Sequence, residues 1–134
     1  MGLTHLLDTN ICVAVIRQRS PRVLTRLQRM SPGSLGVSII TVAELEFGAS
    51  KSLQPARNRA ALQEFLLPLE ILNYGATAAF HYGEVRSRLE KAGTPIGPLD
   101  TLIAAHAKSL NTTLVTNNLS EFRRVSGLKV EDWT

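Results

Sequence analysis

Leu3-Thr4-His5-Leu6-Leu7-Asp8-Thr9-Asn10 is an apolar run that stops at an aspartate and two small polar residues, followed by a second apolar run, Ile11 to Ile16. Leu3–Leu7 reads as a buried strand, and Asn10 as the cap of a helix running to about Arg17. A strand that feeds a helix in this way opens an α/β unit. In open α/β sheets ligands bind in the crevice beyond the carboxyl ends of the strands, and Asp8 stands at that place. An unpaired acid ending a buried strand stabilises nothing evident, so Asp8 is the first candidate functional residue.

The same alternation continues outward from this stretch. Ser20-Pro21 is an N-cap and first-turn proline opening a helix to about Met30. Leu35–Ile40 is the next strand, rich in β-branched residues. Thr41-Val42-Ala43-Glu44 has the spacing of a capping box, starting a helix that reaches about Lys51. Pro55 opens a helix with an apolar stripe of Ala60, Ala61, Phe65 and Leu66, and Leu69–Leu72 is a short strand. Ala76–Ala92 is a long amphipathic helix ended by Gly93, with Glu84 and Arg88 as an exposed i, i+4 pair. Thr94-Pro95-Ile96-Gly97-Pro98 is a stiff connector. Beyond it, Leu99, Leu102, Ile103, His106, Ala107 and Leu110 form one helical stripe. Thr113–Val115 is a strand, Ser120–Arg124 a short helix, and Leu128–Val130 a last strand. This order predicts one α/β domain over 1–134, with a mainly parallel sheet flanked by helices.

Composition narrows the setting. At 134 residues and 44% hydrophobic content the chain can bury about two thirds of its unfolded surface. No apolar run approaches the roughly 18 residues of a membrane span, and the N-terminal stretch lacks the basic n-region of a signal peptide. The single cysteine, Cys12, excludes an internal disulfide framework, fits a reducing cytoplasm, and reads as core packing. Net charge is +4, unevenly spread. No acid lies between Asp8 and Glu44, whereas Arg17, Arg19, Arg22, Arg26 and Arg29 all do. Arg22, Arg26 and Arg29 share one helix face, which is either a solvated face or a surface for an anionic partner, nucleic acid above all.

The acids point to a chemistry. Asp8 follows the first strand, Glu44 lies in the helix after the second, and Asp100 enters the first turn of the helix after the connector. In a parallel sheet these exits lie at one end, where three carboxylates can converge. Converging carboxylates repel unless a cation neutralises them, and hard oxygen ligands suit Mg²⁺ or Mn²⁺. Metal-dependent phosphodiester hydrolysis needs this set and little else. Each acid also has a plainer reading: Glu44 as the capping-box acid, Asp100 as a complement to the helix dipole. Glu46 lies about 200° around the helix from Glu44 and cannot share its target. There is no phosphate-binding glycine loop, zinc spacing or G-x-S-x-G elbow, and His5, His81 and His106 are scattered. A phosphoacceptor role for Asp8 would want a D-x-D pair, but the second position is Asn10.

Leu6-Leu7-Asp8-Thr9-Asn10, Thr41-Val42-Ala43-Glu44-Leu45-Glu46-Phe47-Gly48, Pro95-Ile96-Gly97-Pro98-Leu99-Asp100 and Val115-Thr116-Asn117-Asn118 with Glu121-Phe122 together resemble the PIN-domain ribonucleases. More specifically they resemble the VapC toxins of type II toxin–antitoxin modules, and the likeness runs to the closing Val125–Trp133 stretch. The resemblance implies a PIN-like fold, Mg²⁺- or Mn²⁺-dependent endoribonuclease activity, a VapB antitoxin that obstructs the acidic pocket, and a homodimer. The Pro-Ile-Gly-Pro-hydrophobic-Asp pattern further implies cleavage of initiator tRNA in its anticodon loop. By motif, Asp8, Glu44 and Asp100 match the acidic triad. Asp8 and Asp100 are expected to hold the metal, and Glu44 to orient or deprotonate the attacking water. Thr9, Asn10, Thr116, Asn117 and Asn118 are supporting positions. Many PIN domains carry a fourth acid where this chain has Asn117 and Asn118; Glu121 is the nearest substitute. Arg17, Arg22, Arg26 and Arg29 are the expected RNA-binding residues. The alternative within the resemblance is a non-catalytic RNA- or protein-binding module.

Overall fold

The computed structural model describes residues 2–134. They form five strands, β1 (His5–Leu7), β2 (Leu35–Ser38), β3 (Glu70–Leu72), β4 (Thr113–Val115) and β5 (Val130–Glu131). Seven helices connect them: α1 (Thr9–Ile16), α2 (Pro21–Gln28), α3 (Ile39–Ser50), α4 (Pro55–Leu66), α5 (Ala76–Lys91), α6 (Pro98–Ser109) and α7 (Leu119–Phe122). The sheet order is β3-β2-β1-β4-β5 and every pairing is parallel. The expected α/β architecture therefore stands, with the sheet wholly rather than mainly parallel.

The order itself locates a site. From β1 the chain builds outward on one side through β2 and β3, then crosses to the other side of β1 for β4 and β5. The reversal falls between β1 and β4, so the two connections leave in opposite directions and open a crevice at the carboxyl ends of that pair.

Successive residues of β1 face opposite layers. Leu6 packs with Ile103, Leu114 and Phe122 in the layer of α5, α6 and α7. Leu7 packs with Ile11, Val37, Val115 and Trp133 in the layer of α1 to α4. Both are fully buried, each contributing about 1.5–3 kcal/mol of apolar burial. Cys12 is buried in the second core as expected. Gly36 in β2 is sterically enforced. A Cβ there would lie 2.7 Å from Leu3 Cδ1 and Leu72 Cδ2 and 3.1 Å from the Glu70 carbonyl oxygen. The leucine tips can move but the β3 carbonyl cannot, so Gly36→Ala should cost about 1–3 kcal/mol, read as a lower urea midpoint.

Several local expectations are corrected. The α1 cap is Asp8, not Asn10: its Oδ1 accepts from the Ile11 N–H at 3.0 Å. Strand β2 stops at Ser38, whose hydroxyl accepts from the Ile40 N–H at 3.1 Å, so Ile39 and Ile40 enter α3 despite their β-branching. The cap overrides the propensity, and Thr41-Glu44 is no capping box. On α4 the inward residue is Leu62, with Ala60 and Ala61 exposed. On α5 the exposed pair is Arg86–Glu90 at 2.8 Å rather than Glu84 with Arg88. Gly93 does adopt a positive φ of 70° beyond the end of α5. His106 is core: its Nδ1 lies 2.7 Å from the Ser38 hydroxyl, tying α6 to the start of α3.

Candidate active site

Asp8 sits at the carboxyl end of β1 on the rim of the crevice, and its N–H donates to the Val115 carbonyl of β4 at 3.0 Å. It is only 4% exposed, which raises its pKa. The Thr116 hydroxyl and the Ile11 N–H offset part of that rise, Glu44 adds to it by like charge, and the Asn10 N–H lowers it. Thr116, first residue beyond β4 and fully buried, also accepts from the Asn118 N–H at 3.0 Å. Asn10 therefore serves through its backbone, while its side chain is exposed.

Glu44 lies in the second turn of α3, one turn later than expected, because the helix begins at Ile39. The plainer reading of Glu44 as a capping acid falls with the capping box. The Thr9 hydroxyl donates to Glu44 Oε1 at 2.6 Å and lies 3.3 Å from the Thr41 hydroxyl. One side-chain contact thus joins the residue after Asp8 to the second acid. Glu46 turns away toward Arg59, 3.7 Å distant.

Asp100, in the first turn of α6, is half-buried and its pKa is pushed up to about 7. Burial is the main cause; Glu121 follows, by charge and by a shared hydrogen bond, and Asp8 and Glu44 add repulsion. Glu121 behaves in the opposite sense. Burial pushes its pKa up, but the Gly97 N–H, the Asn118 amide, Asp100 and Arg124 together hold it below the usual value. The Gly97 N–H donates to Glu121 Oε1 at 2.8 Å, and Asn118 Nδ2 donates to Oε2. The two carboxyls are thus shifted in opposite directions, Asp100 up and Glu121 down. A Cβ on Gly97 would lie 3.6 Å from Asp100 Oδ2 and 3.7 Å from Glu121 Oε1, so both carboxylates face the same point.

Four acids from four elements thus border the crevice, where Glu44 adds charge cost to Asp8, and Glu121, Asp8 and Glu44 add it to Asp100. They do not form a tight knot: among the described residues no three His, Cys, Asp or Glu side chains are gathered as one ligand cluster. Asp8, Glu44 and Glu121 are instead each held by their own donors. The fourth corner is Glu121, braced by Asn118, whereas Asn117 is exposed. Sequence reasoning missed Gly97 as a donor and Arg124 as a counter-charge. Arg124 had a signal, lying three residues after Glu121; the Gly97 N–H had none.

The arginine surface lies elsewhere. Arg17 is the C-cap of α1, about 13.5 Å along the helix from Asp8. Arg22, Arg26 and Arg29 line a groove with Asp132, Trp133 and Thr134. Arg26 stacks on Trp133 at 4.6 Å and lies 3.8 Å from Glu131. None of these contacts reaches the four acids.

Residues 5–128 match the PIN domain family model. The chain is 43% identical over 131 residues to the tRNA(fMet)-specific endonuclease VapC of Salmonella typhimurium, covering 98% of each. It is 47% identical over 131 residues to ribonuclease VapC2 of Haemophilus influenzae, again covering 98% of each. Among solved structures, VapBC2 from Rickettsia felis bound to a promoter DNA fragment superposes with a TM-score of 0.94 at 41% identity, covering 98% of this chain and 100% of that one. DNA-bound VapBC from Salmonella typhimurium gives a TM-score of 0.94 at 42% identity, with 98% and 99% coverage. With its acids at the reversal point of a parallel sheet and its likeness running end to end, the chain belongs to the PIN-domain family, among the VapC proteins.

Proposed function

We propose that this protein is a metal-dependent endoribonuclease toxin that hydrolyses RNA phosphodiester bonds. The observation that carries the reading is that Asp8, Glu44, Asp100 and Glu121 border one crevice, where Glu121, Asp8 and Glu44 all add to the raised pKa of Asp100. Such a set is costly by itself and is relieved by a cation. The donors are all oxygen, which fits Mg²⁺ or Mn²⁺, and Mg²⁺ commonly needs only one or two carboxylates because it keeps several waters.

Asp8 and Asp100, with Glu121 beside them, are the residues that would hold the ion. When bound, it supplies charge neutralisation and polarisation of a phosphoryl oxygen. Glu44 has one oxygen fixed by Thr9, leaving the other to orient a water and take its proton. Thr116 and the Ile11 N–H keep Asp8 aimed into the crevice. Asp100 must release its proton to serve as a ligand.

The names of the relatives favour tRNA, initiator tRNA in particular, as the substrate. The VapBC complexes among its structural neighbours favour a VapB-type antitoxin as partner. Phe47, Leu53, Leu67 and Phe80 are exposed apolar side chains, the kind of surface a partner protein covers. A homodimer working in the cytoplasm completes the reading. Among the described residues no helix is long and apolar enough to cross a membrane.

Incubating the protein with total tRNA and Mg²⁺ and sequencing the new 5′ ends should reveal one dominant cut, in the anticodon loop of initiator tRNA. EDTA should abolish it and added Mg²⁺ restore it. Equal cutting in EDTA would refute metal dependence, and cuts scattered over all tRNAs would refute the target.

A further inference from the structure

We infer that the RNA backbone is held in a second, basic groove between α5 and the turn after α7, with Arg88, Lys108 and Arg124 as its phosphate contacts. This inference rests on the proposed ribonuclease reading and moves the RNA surface away from the arginines of α2. The groove has a volume of about 230 Å³, with Val85, Leu89 and Val125 among its lining residues. The only acid in its lining is Glu84.

Two features distinguish this groove from an ordinary charged surface. The first is how its cations are held. Arg124 Nη1 donates to the Pro95 carbonyl at 3.0 Å, and Lys108 Nζ donates to the Ser126 carbonyl at 2.9 Å. A carbonyl orients a cation without cancelling its charge, and each side chain keeps further donors free; Arg124 also offsets part of the charge of Glu121. Among the described residues, none of the three is in an ion pair, whereas Arg26, Arg59 and Arg86 each face a glutamate. The second feature is position. Arg124 grips Pro95, two residues before the Gly97 N–H that holds Glu121, so the groove begins at the edge of the acid cluster. A cluster of carboxylates repels a polyanion. Cations fixed beside it are what can bring a phosphate chain to its edge. In the α2 groove, by contrast, Arg26 is occupied by Glu131 and Trp133, and Asp132 lies in the lining.

Binding of fluorescein-labelled initiator tRNA can be followed by anisotropy from 50 to 300 mM KCl, in an Asp8→Asn background that leaves the RNA intact. Arg88→Glu with Lys108→Glu should weaken binding about tenfold or more. It should also lower the slope of log K against log salt by about 1.4–1.8, since each phosphate contact contributes about 0.7–0.9. Arg22→Glu with Arg29→Glu should leave the slope in place. Arg88→Gln with Lys108→Gln, checked by thermal melting, should show the same direction at smaller size if the reversals fail to fold. An unchanged slope in folded Arg88 and Lys108 variants overturns the inference. So does a slope lost with Arg22 and Arg29 instead, or intact RNA binding with loss of an acidic protein partner. Wild-type protein that cuts no RNA in Mg²⁺ would defeat the ribonuclease reading, while the anisotropy would still report on the groove.

Discussion

Asp8→Asn should abolish RNA cleavage while leaving the fold as stable as the wild type. The two halves of this result have separate causes. Asp8 is the N-cap of α1, accepting from the Ile11 N–H, and asparagine caps a helix about as well as aspartate. The substitution also removes a buried charge that Glu44 opposes. What it loses is an anionic oxygen for the cation, worth several kcal/mol of transition-state stabilisation and thus on the order of 10³-fold in rate. Asp8→Ala should be equally inactive but also lose about 1 kcal/mol through the missing cap. Single-turnover cleavage and urea unfolding of both variants separate the roles. An inactive Asp8→Asn protein that is also unfolded would reduce Asp8 to a structural residue.

The second large effect concerns Asp100. Its folded pKa is about 7 against an ordinary value of 3.8, so between those limits the folded chain binds more protons than the unfolded one. Stability of the metal-free protein must then fall as pH rises through that window. Asp8, also raised, acts in the same direction. Glu121, lowered, acts in the opposite one, its contribution being lost as pH falls through its folded pKa, below the usual 4.5. Melting temperature in EDTA should therefore drop by several degrees from pH 5.5 to pH 8, and Asp100→Asn should flatten most of that drop. Mg²⁺ should restore stability at pH 8 and do little at pH 5.5, because the ion competes with the proton on Asp100. A wild-type melting temperature that is flat or rising across this range would contradict the raised pKa of Asp100.

Much of this site was legible along the chain, and the failures have physical reasons. The alternation of strand and helix, the Ser20-Pro21 start and the Gly93 stop are local signals, and they hold. Asp8, Glu44 and Asp100 were legible because each closely follows a strand or a stiff connector in a parallel sheet. The capping box at Thr41 misled because Ser38 offered a cap three residues earlier, and the packing of His106 against it fixed that choice. The role of Glu121 depends on the Gly97 N–H, a backbone group reached only when α6 and α7 are folded together. Around α2, the spacing could not show that Arg26 meets Glu131, an acid more than a hundred residues later.

Cation binding itself is the most direct test of the acid cluster. Titrating metal-free protein with Mn²⁺ at pH 7 by calorimetry, in buffers of different ionisation enthalpy, should show binding with proton release. Asp8→Asn should lose most of that affinity, and Asp100→Asn should lose the proton release with it. Binding of equal strength in wild type and Asp8→Asn, or no binding by a wild-type protein that still cuts RNA in EDTA, would contradict the account.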